Sequence, residues 1–344
     1  MKVNQKYIAE RLKVSRVTVT KALLDHPDIS IETRKKVKAM ADELGYIPNI
    51  VGRSLSTQKT GTIGIIVPKI DHSFFSKAIE SMYAGATELG YQIILMVSFE
   101  NEETEKNDIK TLLSMNVDGI VIDTTAQKNH GGFDLIYKHK VPVLFFDRKL
   151  VGVQDPGVFF DDFNLSYQLT KAVLGRGYRQ SGYITGPKQI NISQERLNGF
   201  KKAIEEHRLE VSKNHICISE LTEAAGYYSM MSLRKKLEIL PEVLFCVNDS
   251  VALGVYRACK ELKIRIPEDL GVVGFGDLKI SELMDPPLTT VKLPVEQAGK
   301  TVIQRLVSMI KENATFESEL LPGELLLRDS IKSAVNKPSR KKKK

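Results

Sequence analysis

The chain has 344 residues, of which 42% are hydrophobic and 27% are charged, and its formal net charge is +8 at pH 7. This composition is typical of a globular protein with enough material for two or three domains. No apolar run approaches the ~20 residues that span a bilayer, and residues 1–6 are not followed by the apolar region of an export signal. We therefore expect a cytoplasmic protein that makes no contact with the membrane.

The residue types that usually carry catalysis or bind metals form no recognisable cluster in this sequence. Cys217, Cys246 and Cys259 lack the close spacing of a metal site, and the six histidines show no such spacing either. No set of Ser, His and Asp can be assembled into a catalytic triad. We expect a non-enzymatic protein that needs no metal and no cofactor.

Positive charge is concentrated at the two ends of the chain. Residues 1–60 carry twelve Lys and Arg against six Asp and Glu, and residues 337–344 contain six Lys and Arg without an acid. The residues between these ends are therefore net acidic. The basic N-terminal segment suits the phosphate backbone of DNA, which predicts salt-dependent binding. Residues 332–344 are expected to form a disordered basic tail.

Two short helical patterns open the chain, over residues 6–12 and 15–24. The small Ala9 side chain allows the two helices to cross closely, and Ser15 is a favourable N-cap for the second. A tight connection between two such helices is typical of a helix-turn-helix, whose second helix enters the major groove of DNA. The apolar stripes that would pack them together are Ile8, Ala9 and Leu12 in the first and Val14, Val19, Ala22 and Leu23 in the second.

A third helix is predicted after this pair. Ser30 is its expected N-cap, and Gly45 ends it shortly before Pro48. Residues 49–55 continue a helical pattern, but so short a helix is not stable alone in water. A polar linker over residues 56–61 follows.

From residue 62 onward, apolar strands alternate with helices of roughly 10–15 residues. This alternation predicts right-handed βαβ crossovers and two doubly wound parallel sheets. The predicted strands cover residues 62–67, 92–97, 119–123, 141–147, 158–161, 181–185, 242–247 and 270–275. Open sheets of this kind bind ligands beyond the carboxyl ends of their strands. The polar residues at those ends are Asp71, Asp147, Asn248, Asp249 and Asp277.

Taken together, these segments resemble the lac repressor/purine repressor family of bacterial transcription regulators over residues 4–331. Several motifs in a fixed order carry the resemblance, namely VSRVTVTKAL (14–23), ELGYIPN (43–49), RSL (53–55), GTIGIIVP (61–68), RLNGF (196–200), VNDSVALG (247–254) and PLTTV (287–291). The resemblance implies an effector-controlled, sequence-specific regulator, most commonly a repressor, whose homodimer reads a near-palindromic operator in double-stranded DNA.

The resemblance also assigns DNA contacts to individual residues. Base edges would be read by Arg16, Val17 and Lys21, which lie at the exposed start and middle of the second helix. Hydroxyl groups that suit phosphate contacts come from Ser15, Thr18 and Thr20.

The hinge helix of the family corresponds to residues 49–55 in this chain. Asn49, Arg53 and Leu55 are its expected DNA contacts, and Leu55 holds the position of an apolar wedge in the minor groove. Gly52 stands where the common pattern has alanine. Glycine costs a helix roughly 1 kcal/mol relative to alanine, which predicts that this hinge depends more strongly on the effector for its folding.

The family core holds a small effector between its two sheets, and the expected contacts are Phe74, Asp147, Arg196, Asn248 and Asp277. Carboxylate, guanidinium and amide groups suit the hydroxyls of a sugar or sugar derivative. Two positions depart from the relatives. Gly276 stands where they often carry a ligand-binding aspartate, and Leu221 where some carry an aromatic ring.

The expected domains are a helix-turn-helix head over residues 1–48, a hinge and linker over 49–60, and a core over 61–331. The core should form two subdomains, about 61–160 with 292–322 and about 161–291 with 323–331. Beyond the core the sequence has no leucine heptad, which favours a dimer over a tetramer. The alternatives are a stand-alone cytoplasmic sugar-binding protein and a regulator that responds to a nucleoside or purine.

Overall fold

The computed structural model describes residues 4–47, 59–125, 128–150 and 156–333. The chain divides into two compact units, Met1–Thr60 and Gly61–Lys344. The predictions for Asn49, Arg53 and Leu55 and for the basic tail after residue 333 lie outside the described residues.

Over residues 4–47, the described part of the first unit forms a bundle of three helices, α1 (Gln5–Leu12), α2 (Arg16–Leu23) and α3 (Ile31–Glu43). Each helix contributes apolar side chains to one small core, whose buried members are Ile8, Ala9, Val19, Ala22, Val37 and Ala41. The apolar stripes read from the sequence thus face one another, and the predicted all-α head is confirmed.

Two serine caps fix where α2 and α3 begin. Ser15 Oγ accepts a hydrogen bond from Thr18 N at 3.0 Å, and Ser30 Oγ accepts one from Thr33 N at 3.2 Å. Each hydroxyl satisfies a backbone N–H that has no partner within the helix. Both predicted N-caps are confirmed.

The second unit is built from strands and helices that alternate along the chain. Within its described residues the strands are β1 (Thr62–Val67), β2 (Gln92–Val97), β3 (Gly119–Ile122), β4 (Val143–Phe146), β5 (Gly157–Phe160), β6 (Ser181–Thr185), β7 (Ile216–Ile218), β8 (Val243–Cys246), β9 (Gly271–Val273), β10 (Thr290–Lys292), β11 (Glu319–Leu321) and β12 (Glu324–Leu326). The helices are α4 (Ser73–Glu88), α5 (Glu102–Ser114), α6 (Gly132–His139), α7 (Asp162–Leu174), α8 (Asn191–Glu206), α9 (Glu223–Lys236), α10 (Asp249–Leu262) and α11 (Val295–Glu312).

Two parallel sheets organise this unit. The larger has the strand order β11-β5-β4-β3-β1-β2, and the smaller has the order β7-β6-β8-β9. All ladders within these two sheets are parallel. An antiparallel pair, β10 with β12, lies where the chain passes between them. The predicted core of two doubly wound parallel sheets is confirmed.

Four strands are shorter than the sequence pattern predicts, and the difference is largest in two of them. The strand expected over residues 141–147 is β4, which begins after Pro142 and ends before Asp147. Proline cannot donate to a sheet ladder, and Asp147 has a φ of 58°, in the left-handed region. The left-handed backbone at Asp147 therefore ends β4 at this residue. The strand expected over residues 270–275 is limited to β9.

Close packing of α9 against α10 brings their N-termini together. A Cβ atom on Gly254 would lie 1.9 Å from the carbonyl oxygen of Glu223, so only glycine permits this approach. On the other helix, a Cβ on Gly226 would lie 2.1 Å from the carbonyl oxygen of Val251. Asn248, just before α10, therefore lies beside the start of α9.

Candidate functional site

The exposed face of α2 carries three of the residues predicted to contact DNA. Arg16 and Ser15 are exposed, and the Val17 side chain is 64% exposed. Thr18 is half-buried, and its Oγ1 lies 2.9 Å from Ser15 Oγ. Thr20 differs, because its Oγ1 donates to Gln5 Oε1 at 2.9 Å, which ties α2 to α1. The structure thus presents the start of α2 to solvent and uses Thr20 within the head.

Lys21, in the last turn of α2, forms an ion pair. Its Nζ lies 2.7 Å from Oδ2 of Asp28, in the loop between α2 and α3. The ammonium group lowers the pKa of Asp28, chiefly through this hydrogen bond, so the carboxylate is ionised at neutral pH. Lys21, which is predicted to read a base edge, is therefore paired with the acidic side chain of Asp28.

The carboxyl ends of the two sheets border a cavity of about 350 Å³. The residues that follow β1, β4, β8 and β9 line it, together with the start of α8. Four of the five residues predicted to contact an effector are brought together there, namely Phe74, Asp147, Arg196 and Asn248. The sequence prediction therefore identified one contiguous surface.

The guanidinium group of Arg196 is held on three sides. Its Nε donates to Asp162 Oδ1 at 2.7 Å, and its Nη1 donates to the carbonyl oxygen of Val247 at 2.8 Å. The Phe275 ring lies below it, with its centroid 3.9 Å from Cζ. This geometry fixes the plane of the guanidinium and leaves the cavity-facing N–H groups to a ligand.

Asp162, at the start of α7, is the buried acidic partner of Arg196. Burial raises the pKa of its carboxyl to about 7, although the nearby Arg196 acts in the opposite direction. The side chain is 2% exposed. Asp162 acts on the cavity by orienting Arg196.

Asp147 places a carboxylate on the cavity wall. The residue is 4% exposed, and its Oδ1 is buried without a hydrogen-bond partner among the described residues. Burial raises its pKa, and the positive charges of Arg196 and Arg148 oppose that change. A buried acceptor with no partner is costly, so a ligand hydroxyl or amine that donates to it would be stabilised.

Arg148, next in sequence, pairs with other acids. Its Nη1 and Nη2 donate to the two carboxylate oxygens of Glu100 at 2.8 and 3.0 Å. Its Nε lies 3.6 Å from Asp123 Oδ1. Burial, followed by repulsion from Asp147, holds the pKa of Asp123 well above its usual range. Because Arg148 pairs with Glu100, Asp147 keeps an oxygen available to a ligand.

Asn248 is both a helix cap and a cavity residue. Its Oδ1 accepts from Val251 N at 2.8 Å, and its Nδ2 donates to the Leu221 carbonyl oxygen at 3.1 Å. An amide nitrogen has a second hydrogen and an amide oxygen a second lone pair. Asn248 can therefore cap α10 and still offer a donor and an acceptor to a ligand.

Phe74 and Phe75 divide their roles as adjacent aromatic residues on a helix usually do. Phe75 is 7% exposed and joins the core. Phe74 is half-buried on the cavity wall, against the rings of Phe146 and Phe160 at centroid distances of 6.2 and 6.0 Å. Its supported ring offers an apolar face to a ligand.

Asp277 lies outside this cavity, so the structure does not bring it together with the other four predicted residues. Its Oδ1 accepts from Arg328 Nη2 at 2.8 Å, and the residue lines a smaller neighbouring depression. Asp249 is also structural, because its carboxylate accepts from Ser281 Oγ and Thr290 Oγ1, both at 2.6 Å. Gly276 lies on the cavity wall.

Sequence reasoning missed two contacts beside the cavity, which join residues that follow strands of the larger sheet to helices of the smaller one. His72 Nε2 lies 2.9 Å from Ser250 Oγ, and Lys149 Nζ lies 2.8 Å from Glu195 Oε1. Because His72 lies just before a predicted helix, the sequence could have identified it as a capping residue. Nothing in the sequence indicates that it contacts Ser250, which is 178 positions away.

The described residues contain no group of three or more His, Cys, Asp and Glu side chains arranged to hold a metal ion. Within the same residues, no helix combines the length and apolarity needed to cross a membrane.

Comparisons with known proteins match two regions of the chain. A model of bacterial regulatory proteins of the lacI family matches residues 6–49, and a model of the periplasmic binding protein-like domain matches residues 170–331. The ribose operon repressor of Haemophilus influenzae is 28% identical over 329 residues, which cover 95% of this chain and 98% of that protein. The HTH-type transcriptional repressor CytR of Escherichia coli is 27% identical, over 95% of this chain and 96% of its own length.

A solved structure extends the similarity to the whole fold. The crystal structure of the lac repressor dimer bound to operator and the anti-inducer ONPF is 25% identical to this chain, with a TM-score of 0.85. The match covers 96% of this chain and 99% of that one. The chain thus combines a DNA-binding domain of the lacI family of bacterial regulatory proteins with a periplasmic-binding-protein-like core, and it is a DNA-binding transcriptional regulator.

Proposed function

We propose that this regulator represses transcription as a homodimer on a near-palindromic operator, and that a small sugar or sugar derivative in the core cavity controls its affinity for DNA. The observation that carries the proposal is the joint presence of an exposed α2 surface and a cavity that gathers Phe74, Asp147, Arg196 and Asn248. A DNA-reading helix explains the basic first unit, and a cavity with charged and amide side chains on its wall explains why a large core accompanies it.

The cavity chemistry favours a polyhydroxylated effector. Arg196 offers donors in a fixed plane, and Asp147 offers a buried acceptor. Phe74 supplies an apolar ring for the C–H face of a sugar. Hydroxyl groups both donate and accept, so one sugar can satisfy all three groups.

Two solved relatives support a polyhydroxylated ligand by analogy. One is the cellobiose complex of the regulator CelR, and the other is a regulator from Enterococcus faecium with bound ribose. Both share the fold of this chain at 24% identity. A nucleoside contains the same sugar and remains the second candidate, because its base could stack on Phe74.

The proposed coupling runs through the hinge, over residues 49–55. Binding of the effector closes the cavity and rotates one core subdomain against the other at the dimer interface. The rotation changes the spacing of the paired hinges. The hinge helices, which carry the Leu55 wedge, then fold or unfold on DNA. An effector can shift this equilibrium only by its differential affinity for the two states. In the cell, such a regulator is associated with the nucleoid.

The experiment is a selection of duplexes from a random DNA pool, repeated with a panel of sugars and nucleosides. We expect a palindrome with a pyrimidine–purine step at its centre, lost or gained with one compound. Catalytic turnover of that compound should be absent. Tight sugar binding without recovery of any DNA sequence would refute the proposal and favour a stand-alone sugar-binding protein.

A further inference from the structure

An acidic side chain lies beside the proposed DNA-reading surface. Lys21 Nζ lies 2.7 Å from Asp28 Oδ2, and the two side chains are 39% and 58% exposed. Lys21 is one of three residues expected to read base edges. The carboxylate of Asp28 therefore lies within hydrogen-bond distance of a group that the proposed function assigns to base recognition.

The loop that carries Asp28 is held by its own hydrogen bonds. His26 N donates to the Lys21 carbonyl oxygen at 2.9 Å, and Ile29 N donates to the His26 carbonyl oxygen at 3.1 Å. Asp28 N donates to His26 Nδ1 at 3.3 Å. Because both ends of the loop are fixed in this way, Asp28 occupies a defined position next to the last turn of α2.

The Lys21–Asp28 pair changes what the end of α2 offers to DNA. An ammonium group has three N–H donors, so one bond to Asp28 leaves two for a base edge and sets their direction. The carboxylate meanwhile repels phosphate groups, which are the sequence-independent targets of Lys. It also accepts hydrogen bonds, as acidic side chains do from cytosine N4.

We propose that Asp28 is a specificity-determining residue, which positions the Lys21 ammonium for a base edge and weakens binding to DNA of arbitrary sequence. The inference rests on the proposed DNA-binding function. Specificity is a difference between two affinities, and a repulsive group can increase it by weakening the unwanted complex. Asp28 thus lowers total affinity while it raises discrimination.

A matched control lies three residues away. Asp25 pairs with Lys38 of α3, with Nζ at 2.7 and 2.6 Å from its two carboxylate oxygens. Asp25→Asn removes the same charge from the same loop and leaves the partner of Lys21 in place. Any effect that depends only on net charge should appear equally in Asp25→Asn and Asp28→Asn.

The test uses the full chain, the duplex recovered by selection and a scrambled duplex of equal composition, at several salt concentrations. We expect Asp28→Asn to tighten binding to the scrambled duplex more than to the selected one. Their affinity ratio should fall by about two- to five-fold, the range of an exposed ion pair. Asp25→Asn should leave the ratio unchanged, and Asp28→Glu, which keeps the charge, should retain most of it.

A Lys21→Ala background separates positioning from simple repulsion. There, Asp28→Asn should alter the ratio less than it does in the wild type, because the group that it positions is absent and only the repulsion of phosphate remains. The proposal is overturned if Asp28→Asn and Asp25→Asn change both duplexes by the same factor, or if the effect of Asp28→Asn is undiminished without Lys21. That result would leave the DNA-binding function intact, whereas a wild-type protein that does not prefer the selected duplex would refute both.

Discussion

His72 Nε2 lies 2.9 Å from Ser250 Oγ, although 178 positions separate the two residues in the chain. His72 Nδ1 accepts from Phe74 N at 3.3 Å. Burial lowers the pKa of His72, so the ring is neutral at pH 7 and its proton lies on Nε2. The imidazole therefore donates to Ser250 and links the residues after β1 to the start of α10, across the cavity.

This link predicts that Ser250→Ala weakens effector binding by about two- to ten-fold, the range of one net hydrogen bond. The reason is that the contact holds the two sides of the cavity together. Isothermal titration calorimetry would measure this loss of affinity, with the compound identified from the panel of sugars and nucleosides. Ser76→Ala removes an exposed hydroxyl that donates to the Ser73 carbonyl oxygen and should have no effect.

A double-mutant cycle distinguishes this link from direct ligand contacts. His72→Asn keeps a residue that caps helices well but cannot reach Ser250. If the pair acts as one link, the double variant should bind no more weakly than the weaker single variant. Additive losses would instead show that each side chain contacts the effector separately.

Arg196→Lys should weaken effector binding at least ten-fold. Lysine keeps the charge, but one ammonium group cannot bond Asp162 and the Val247 carbonyl and also stack on Phe275 in a fixed plane. Calorimetric titration would show the loss, and DNA binding without effector should persist. The control is Arg257→Lys, because Arg257 pairs with the exposed Glu223 at 2.7 Å. A normal response of Arg196→Lys would contradict the cavity assignment.

Local patterns made the head and the order of the core predictable. Ser15 and Ser30 act within four residues of sequence, where capping preferences apply directly. Strands that are buried on both faces of a parallel sheet are continuous apolar runs, so most strands of the two sheets could be recognised from the sequence. Arg196 and Asn248 could be predicted as effector contacts because the chain contains the motifs RLNGF and VNDSVALG.

Long-range polar pairing was not predictable. The sequence places Arg148 directly beside Asp147, yet the guanidinium bonds Glu100, which is 48 positions away. Asp277 follows a strand as a ligand residue would, but Arg328 occupies it. Which acid pairs with which arginine depends on burial and direction in three dimensions, and neither is encoded in residue type or spacing.

Arg16→Ala should weaken binding to the selected duplex by roughly ten- to a hundred-fold, the value of one good base contact. The preference for guanine at one operator position should relax with it. Fluorescence anisotropy with duplexes changed at single positions would show both effects. Arg11→Ala serves as the control, since Arg11 Nη2 donates to Tyr7 OH on α1 at 2.8 Å. An equal, sequence-independent loss in both variants would mean that Arg16 contacts phosphate.

Leu55→Ala should weaken operator binding and leave effector binding intact. The reason comes from the sequence, because an apolar wedge lets the DNA bend and increases contact with the protein. Anisotropy with the selected duplex and titration with the effector would measure the two activities separately. Equal operator affinity in the variant and the wild type would refute the wedge.

The pH dependence of stability should report on Asp162. Burial raises the pKa of its carboxyl to about 7 in the folded protein, whereas an unfolded aspartate titrates near 3.9. Between these values the folded state binds a proton that the unfolded state has released. Asp162 therefore contributes stability that is complete below about pH 4 and is lost as the pH rises through about 7.

The comparison with Asp162→Asn isolates this contribution, because Asp123 and Asp147, whose pKa values burial also raises, are present in both proteins. Urea unfolding should show the wild type gaining stability over the variant by a few kcal/mol between pH 7.5 and pH 5. Asp161→Asn, at the neighbouring N-cap of α7, should show no such trend. A constant difference across this range would mean that Asp162 is ionised throughout, held by its bond to Arg196.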